Sequence, residues 1–231
     1  MPRHPKSPTR TRLSTRKPVL DRRQRRSAET RERLFHAALD LFAKKGYAET
    51  TVEDITEAAD VGKGTFFNYF PSKDHILLAF GEMQLGKLEA AIEMARQAGT
   101  PMSEFLRGLG ARMTQEPVRN PAIMRALLQA YLSTTPVREA MLDLQKRVHA
   151  LHTQMIQLGQ DRGEIRKDLP ATELALVFRQ TIFGTLLIWS LYGDATLNAR
   201  IEASFNVLWT GLAPREQSPP PSLISAVRPG E

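Results

Sequence analysis

Residues 50–73 constrain the fold of this chain more than any other segment, because they predict two short helices joined by a tight turn. Thr50 is followed three residues later by Glu53, which is the spacing of a capping box at a helix start. Apolar residues at helical spacing follow, and residues 60–62 interrupt them. The second helix is predicted over 63–69. This pattern is a helix-turn-helix, whose second helix is suited to a DNA major groove.

The predicted second helix has one face for the protein core and one for DNA. Phe66 and Phe70 are four residues apart, so they share the inward face. The remaining side chains point elsewhere. Of these, Lys63 can donate to guanine O6 and N7, and Asn68 can pair with adenine N6 and N7. Thr65 offers a hydroxyl to phosphate or a methyl group to thymine, and these contacts are predicted for the outward face.

The same segment resembles the TetR (tetracycline-repressor-like) transcriptional regulators. The matching run is Thr-Thr-Val, Ile55, Val-Gly-Lys-Gly-Thr-Phe-Phe-Asn-Tyr-Phe over 61–70, and Lys73. The preceding Leu-Phe-Ala-Lys-Lys-Gly-Tyr of 41–47 also matches. The resemblance implies an all-α protein, with a three-helix DNA-binding head and a larger helical body that binds a small effector and forms a homodimer.

The resemblance also implies roles for residues outside the outward face. Thr51, at a helix N-terminus, is expected to bind phosphate through its hydroxyl and N–H. Lys73 corresponds to the family's phosphate-binding lysine, and Tyr69 to a backbone-contacting position that is usually His. Gly64 permits close approach to DNA. Phe67 stands where the family has Tyr and can offer only apolar contact.

Two turn positions depart from the family pattern. Asp60 stands where glycine is usual, although aspartate tolerates the left-handed conformation better than most residues. Gly62 replaces the N-cap serine and removes one hydroxyl contact. These departures affect individual contacts and leave the helix-turn-helix prediction in place.

The positive charge of the chain is concentrated at its start. Residues 1–26 contain ten Lys or Arg and one acidic residue, while the remaining residues contain 22 basic and 24 acidic side chains. The composition of residues 1–26 predicts a disordered basic arm. Three interpretations stay open: a solvated tail, including one produced by a misassigned start codon; a DNA-contacting arm; and a targeting peptide.

Helical periodicity continues to the end of the folded region. Helices are predicted over about 27–45, 74–98, 102–115, 122–133, 136–161, 171–192 and 197–212, with no strand. The predicted domains are the arm (1–26), the DNA-binding head (27–73), the effector-binding and dimerisation body (74–213) and a disordered Pro-rich tail (214–231).

Enzymatic, metal-binding and membrane functions find little support in the sequence. Residues 62–65 superficially resemble a P-loop, but Glu57 stands where that motif needs glycine and Gly64 where it needs Ser or Thr. No G-x-S-x-G motif occurs. The chain has no cysteine, and His149 with His152 would supply only half of a metal site. No catalytic residue, metal or cofactor is therefore predicted.

The most apolar run, 181–192, is too short to span a bilayer and predicts a buried helix. Because no secretory signal is present, we expect a cytoplasmic protein.

The resemblance places the dimer interface on the last two helices. The apolar side chains expected there are Phe178, Ile182, Leu186, Trp189, Phe205, Leu208 and Trp209, and burial within one subunit is the alternative for each. Methionines at 102, 113, 124, 141 and 155 suit a hydrophobic effector or a plain core.

Two functions follow as hypotheses. One is a repressor, or less commonly an activator, that a small molecule releases from a palindromic operator. The other is a constitutive DNA-associating dimer driven by the basic arm, with no small-molecule switch.

Overall fold

A computed structural model describes residues 21–113, 120–132, 135–192 and 197–215. Every regular element within these ranges is a helix, which confirms the all-α prediction. The helices are α1 (Arg22–Lys45), α2 (Val52–Ala58), α3 (Lys63–Phe67), α4 (Asp74–Ala98), α5 (Met102–Met113), α6 (Pro121–Tyr131), α7 (Thr135–Asp161), α8 (Ala171–Tyr192) and α9 (Leu197–Leu212).

The first helix begins five residues earlier than predicted. Asp21 is its N-cap, and the Asp21 N–H donates to Oε1 of Gln24 at 3.0 Å. This local cap allows the helix to start within the basic segment, so the arginines at 22, 23, 25 and 26 belong to α1. The rest of the predicted arm, and the predicted tail from residue 216, lie outside the described residues.

Helices α1 to α3 pack around buried aromatic side chains. Phe42, Phe66 and Phe70 are buried, and the rings of Phe66 and Phe70 lie 5.9 Å apart. The inward orientation predicted for the latter two is confirmed. Asp60 has a φ of 50°, in the left-handed region expected for this turn position. The three helices therefore form one packed head, with α3 at its surface.

The body is built on the long helices α4, α7 and α8. Helix α7 packs against both α4 and α8, and α9 packs against α8. One core cluster extends from the head through α4 to α6, α7 and α8, and a second lies between α4, α5, α7, α8 and α9. Asn120, just before α6, contacts the head through its Nδ2, which donates to the Ala43 carbonyl at 3.5 Å. The head and body thus share a continuous core.

Helix α8 alone, among the described helices, has the length and composition of a membrane span, with 22 residues and a mean hydropathy of 1.6. Its buried residues nevertheless include Leu174, Phe178 and Trp189, which pack against neighbouring helices. Arg179 on the same helix donates to Gln145 of α7. Leu176, Val177, Ile188 and Leu191 are exposed, so the helix also has apolar side chains outside its core face.

A close helix contact makes Gly159 a sensitive position for stability. A Cβ atom there would lie 2.6 Å from Cδ1 of Ile165 and 3.0 Å from Cγ of Met102. We expect Gly159→Ala to lower the free energy of unfolding by about 1–3 kcal/mol, because overpacking outweighs the better helix propensity of alanine. Thermal and urea unfolding would measure this change. Gly86→Ala, where a Cβ meets nothing within 4 Å, is the control; equal stability of the two variants would contradict the prediction.

Candidate nucleic-acid interface and body cavity

Thr51, not Thr50, caps the first helix of the helix-turn-helix. The Asp54 N–H donates to Oγ1 of Thr51 at 3.1 Å, and the Thr51 N–H donates to Oδ2 of Asp54 at 2.7 Å. The predicted Thr50–Glu53 capping box is wrong, since α2 begins one residue later; Thr50 donates instead to the Gly46 carbonyl. Asp54 also accepts the Thr51 hydroxyl. A phosphate would have to replace the Asp54 carboxylate to bind both Thr51 donors.

Helix α3 presents a compact outward surface. It begins after Gly62 and ends at Phe67, two residues sooner than predicted, with Asn68 as its C-cap. Lys63, Gly64, Phe67 and Asn68 are exposed, and Thr65 and Tyr69 are half-buried. Phe67 is 49% exposed, which is unusual for a large apolar side chain. These six residues, called the recognition face below, supply hydrogen-bond donors, acceptors and one apolar ring.

The cation of the recognition face is paired with an acidic residue. Nζ of Lys63 donates to Oε1 of Glu53 on α2, and both side chains are largely exposed. The hydrogen bond from Lys63 holds the pKa of Glu53 below its ordinary value. This bond occupies one of the three ammonium hydrogens, so Glu53 competes with a DNA acceptor for Lys63 and places a negative charge beside it.

The start of α1 lies next to the recognition face. The Tyr69 hydroxyl donates to Oγ of Ser27 at 3.2 Å. Because the arginines at 22, 23, 25 and 26 directly precede Ser27 on α1, their positive charge adjoins α3. The sequence interpretation assigned these residues to a disordered arm and so missed their fixed position on a helix.

Lys73 is directed into the protein. Its Nζ donates to the carbonyl oxygens of Tyr47, Ala48 and Thr50 at 2.8, 3.3 and 3.0 Å, and it lies 4.4 Å from the centre of the Tyr47 ring. An ammonium group has three hydrogens, and each has an acceptor here. Phosphate binding by Lys73, as predicted from the resemblance, would require the loss of one of these bonds.

The same junction attaches the start of α4 to the head. The Tyr47 hydroxyl donates to Oδ1 of Asp74, and the Ser72 hydroxyl donates to Oδ2 at 3.1 Å. Burial and the Asp74 carboxylate raise the pKa of Tyr47. Tyr47 therefore stays protonated and continues to donate. The first turn of α4 is consequently bonded to the α1–α2 connection.

Most of the residues predicted for the dimer interface lie in the core of one subunit. Phe178, Leu186, Trp189 and Phe205 are buried, whereas Ile182, Leu208 and Trp209 are half-buried. Burial within one subunit was the alternative for each residue, and the four buried side chains pack against helices of their own subunit.

The unburied stripe of α8 has a different set of residues. This stripe comprises Val177, Thr181, Gly184, Ile188 and Leu191, which follow one another at intervals of four and three residues in turn. This is the heptad spacing of a helix-packing face. On α9, Val207 is 75% exposed beside the exposed small or polar residues Ala203, Asn206, Thr210 and Gly211. These two rows are called the α8–α9 face below.

The body contains an apolar cavity of about 190 Å³. Its walls include Phe80 and Leu88 of α4, Met124 of α6, Met141 of α7, and Phe178 and Ile182 of α8. Three predicted interface residues, Phe178, Ile182 and Leu186, therefore line the cavity. Of the methionines predicted to suit an effector, Met124 and Met141 line the cavity. Met102 and Met155 belong to the second core cluster, and the side chain of Met113 is not among those that the structure describes.

A few polar groups face this cavity. They are Gln84, Tyr131, Gln145, His152 and Arg179. Burial, together with the charge of Arg179, lowers the pKa of His152 to about 4, so the imidazole is neutral at pH 7. No cluster of three or more metal-ligating side chains occurs among the described residues. The cavity is suited to an organic molecule with a limited number of polar atoms.

Comparison with known proteins finds similarity to bacterial transcriptional regulators. Residues 34–80 match the family model of bacterial regulatory proteins, tetR family. The transcriptional repressor KstR of Mycobacterium tuberculosis is 26% identical over 161 residues, 70% of this chain and 71% of its own. The regulator TcmR of Streptomyces glaucescens is 45% identical over 71 residues, 29% of this chain and 31% of its own. The structure of the repressor FadR of Thermus thermophilus with lauroyl-CoA has a TM-score of 0.62 and 28% identity, covering 82% of this chain and 98% of that one.

Proposed function

The chain belongs to the TetR family of transcriptional regulators, and we propose that it is a homodimeric, cytoplasmic repressor that an apolar small molecule releases from a palindromic operator. The observation that carries this proposal is the position of α4. The helix contributes Phe80, Gln84 and Leu88 to the cavity, and its first residue, Asp74, is bonded to the head. An effector in the cavity therefore contacts the same helix that positions the recognition face.

The recognition face supports a sequence-reading mode of DNA binding. In a symmetric dimer, two copies of α3 enter successive major grooves about one turn (~34 Å) apart. Lys63 and Asn68 then contact base edges, Phe67 contacts a thymine methyl group, and the Gly64 backbone approaches DNA closely. Thr51, Thr65 and Tyr69 contact phosphates, and Lys73 joins them only if it leaves its carbonyl partners.

The second copy is proposed to pack on the α8–α9 face. Its apolar and small side chains allow four helices, two from each subunit, to pack closely. An effector that favours a wider separation of the two heads would shift the population away from the DNA-binding form. The lauroyl-CoA complex of the Thermus relative supports an apolar effector in this fold.

The proposal is tested by selecting bound fragments from random duplex DNA at ~150 mM salt, a concentration that suppresses binding by charge alone. Both the full chain and a chain shortened to begin at Asp21 are expected to enrich one palindromic motif. Binding of that motif is then measured with and without apolar ligands. Enrichment that disappears without residues 1–20, with steep salt dependence and little sequence preference, would instead identify the constitutive, arm-driven function.

The Glu53–Lys63 pair predicts a gain of DNA affinity on neutralisation of the acid. Glu53→Gln removes a negative charge from the DNA side and frees Lys63, so affinity for both operator and random DNA should rise roughly threefold to tenfold at low salt. The slope of log affinity against log salt should steepen by about one. Glu104→Gln on α5, which makes the same change in the body, is the control. An unchanged affinity and slope would show that Lys63 does not contact DNA.

A further inference from the structure

The charge of the cavity restricts the chemistry of its ligand. Among the described residues that line it, Arg179 carries the one permanent charge and none is acidic. His152 is neutral at pH 7 because it is buried. A cationic ligand would meet Arg179 with no carboxylate to compensate. The complementary ligand carries an anionic or acceptor oxygen and a large apolar part.

Arg179 lies where the cavity, called the inner cavity below, adjoins a second and more open space, called the outer chamber. It lines both the inner cavity and an adjoining space of about 360 Å³, together with Tyr131, Gln145 and Phe183. Apart from Arg179, Tyr131 and Gln145, which the two spaces share, the polar residues of the inner cavity are Gln84 and His152, and the rest of its wall is apolar. A ligand that enters with its hydrocarbon part first therefore leaves its polar end beside Arg179.

Two hydrogen-bond donors at this mouth are available to an acceptor. Nη1 of Arg179 donates to Oε1 of Gln145 at 2.9 Å, but the buried Nε has no hydrogen-bond partner among the described residues. A buried N–H without an acceptor is costly, so Nε would gain a favourable hydrogen bond from an acceptor oxygen placed beside it. Nε2 of Gln145 donates to the Tyr131 hydroxyl, which leaves the hydroxyl hydrogen free to donate onward. Burial raises the pKa of Tyr131, so this hydrogen is retained.

We propose that the effector is an acyl compound, whose carboxylate or carbonyl oxygen accepts hydrogen bonds from Arg179 and Tyr131 while its hydrocarbon chain fills the inner cavity. This inference rests on the proposed effector function and specifies the ligand class of that same cavity. Free carboxylic acids and acyl thioesters share this chemistry. The thioester carbonyl would occupy the mouth, with its carrier group in the outer chamber.

The test measures binding of decanoate, decanoyl-CoA and 1-decanol to the full chain by calorimetry. Decanoate, decanoyl-CoA or both should bind roughly tenfold more tightly than decanol, as expected for a charge-assisted hydrogen bond. Arg179→Met should remove this preference and leave decanol affinity within about threefold of wild type. Lys146→Met, an equivalent change at an exposed position on α7, should alter none of the three. Binding by decanoate alone would assign the free acid, and binding by decanoyl-CoA would assign the thioester.

Tyr131→Phe provides a second variant if Arg179→Met fails to fold. It should weaken the preference for the acyl compounds while leaving decanol binding unchanged. Equal binding of decanol and both acyl compounds, or a preference that persists in both variants, would overturn the inference, as would failure of all three ligands to bind. Operator binding is measured on the same samples. If the acyl compounds bind with the expected preference but leave operator affinity unchanged, the ligand class stands and the proposed switch does not.

Discussion

Gly64→Glu is expected to reduce operator affinity roughly 100-fold, because it places a bulky negative charge where the recognition face approaches the phosphates. Like charges brought together at an interface cost several kcal/mol, and 100-fold corresponds to about 3 kcal/mol. The glycine lies in the first turn of α3, and a Cβ there would meet nothing within 4 Å. The added side chain therefore has space in the free protein.

Stability should change in the opposite direction. Glutamate has a better helix propensity than glycine by up to about 1 kcal/mol, and a negative charge near a helix N-terminus is favourable. The melting temperature of Gly64→Glu should therefore equal or exceed that of wild type. Fluorescence anisotropy with operator DNA and thermal unfolding would measure the two effects separately.

Gly86→Glu is the matched control for this substitution. Gly86 is also helical, exposed and without atoms within 4 Å of an added Cβ, but it lies in the middle of α4. Its operator affinity should remain within about twofold of wild type, because the charge is far from the recognition face. Full operator affinity in Gly64→Glu would mean that α3 does not approach DNA by this surface.

The helix-turn-helix was predictable in outline, whereas the position of its first cap was not. Thr50 and Thr51 are each followed three residues later by an acid, so the sequence contains two equivalent capping boxes. Tertiary contacts select the second. Lys45 from α1 contacts Asp54 at 2.6 Å, and Lys73 from the start of α4 binds the Thr50 carbonyl. Local spacing carries no information about either contact.

The long helices were predicted closely because their signals are local. Helices α4, α8 and α9 begin and end where the periodicity and the Gly, Pro and Asp signals predicted. The side of α8 that is exposed in a single subunit was not predicted. Its predicted interface stripe, which includes Phe178 and Trp189, faces the core, while Val177 and Ile188 are exposed. A helix that is apolar on all sides does not reveal which side its own subunit covers.

The polar groups of the cavity could not be predicted from spacing. Gln84, Tyr131, Gln145 and Arg179 come from four different helices, and the fold alone brings them together. The nearest sequence signal was the isolated Arg179 within an otherwise apolar segment. A single charge in a buried helix has a structural or binding partner, but only the folded chain identifies Gln145 as that partner.

Ile188→Glu is expected to separate the dimer and thereby reduce operator affinity by more than about 100-fold. In a single subunit Ile188 is 47% exposed and lies centrally in the α8–α9 face, so the substitution leaves the subunit core intact. In the dimer it would bury an unpaired carboxylate from each subunit, which costs several kcal/mol per ion. A monomer contacts only one half-site and loses the affinity gained from two linked heads.

Sedimentation or light scattering at micromolar concentration should show a monomer with unchanged helical content, and anisotropy should show weak, half-site binding. Met94→Glu is the control, since Met94 is 57% exposed on α4 and does not belong to the α8–α9 face; this variant should remain dimeric. A dimeric Ile188→Glu with normal operator affinity would contradict the assignment of the α8–α9 face. A monomeric variant with normal affinity would instead separate DNA reading from dimerisation, and the palindromic operator would lose its physical basis.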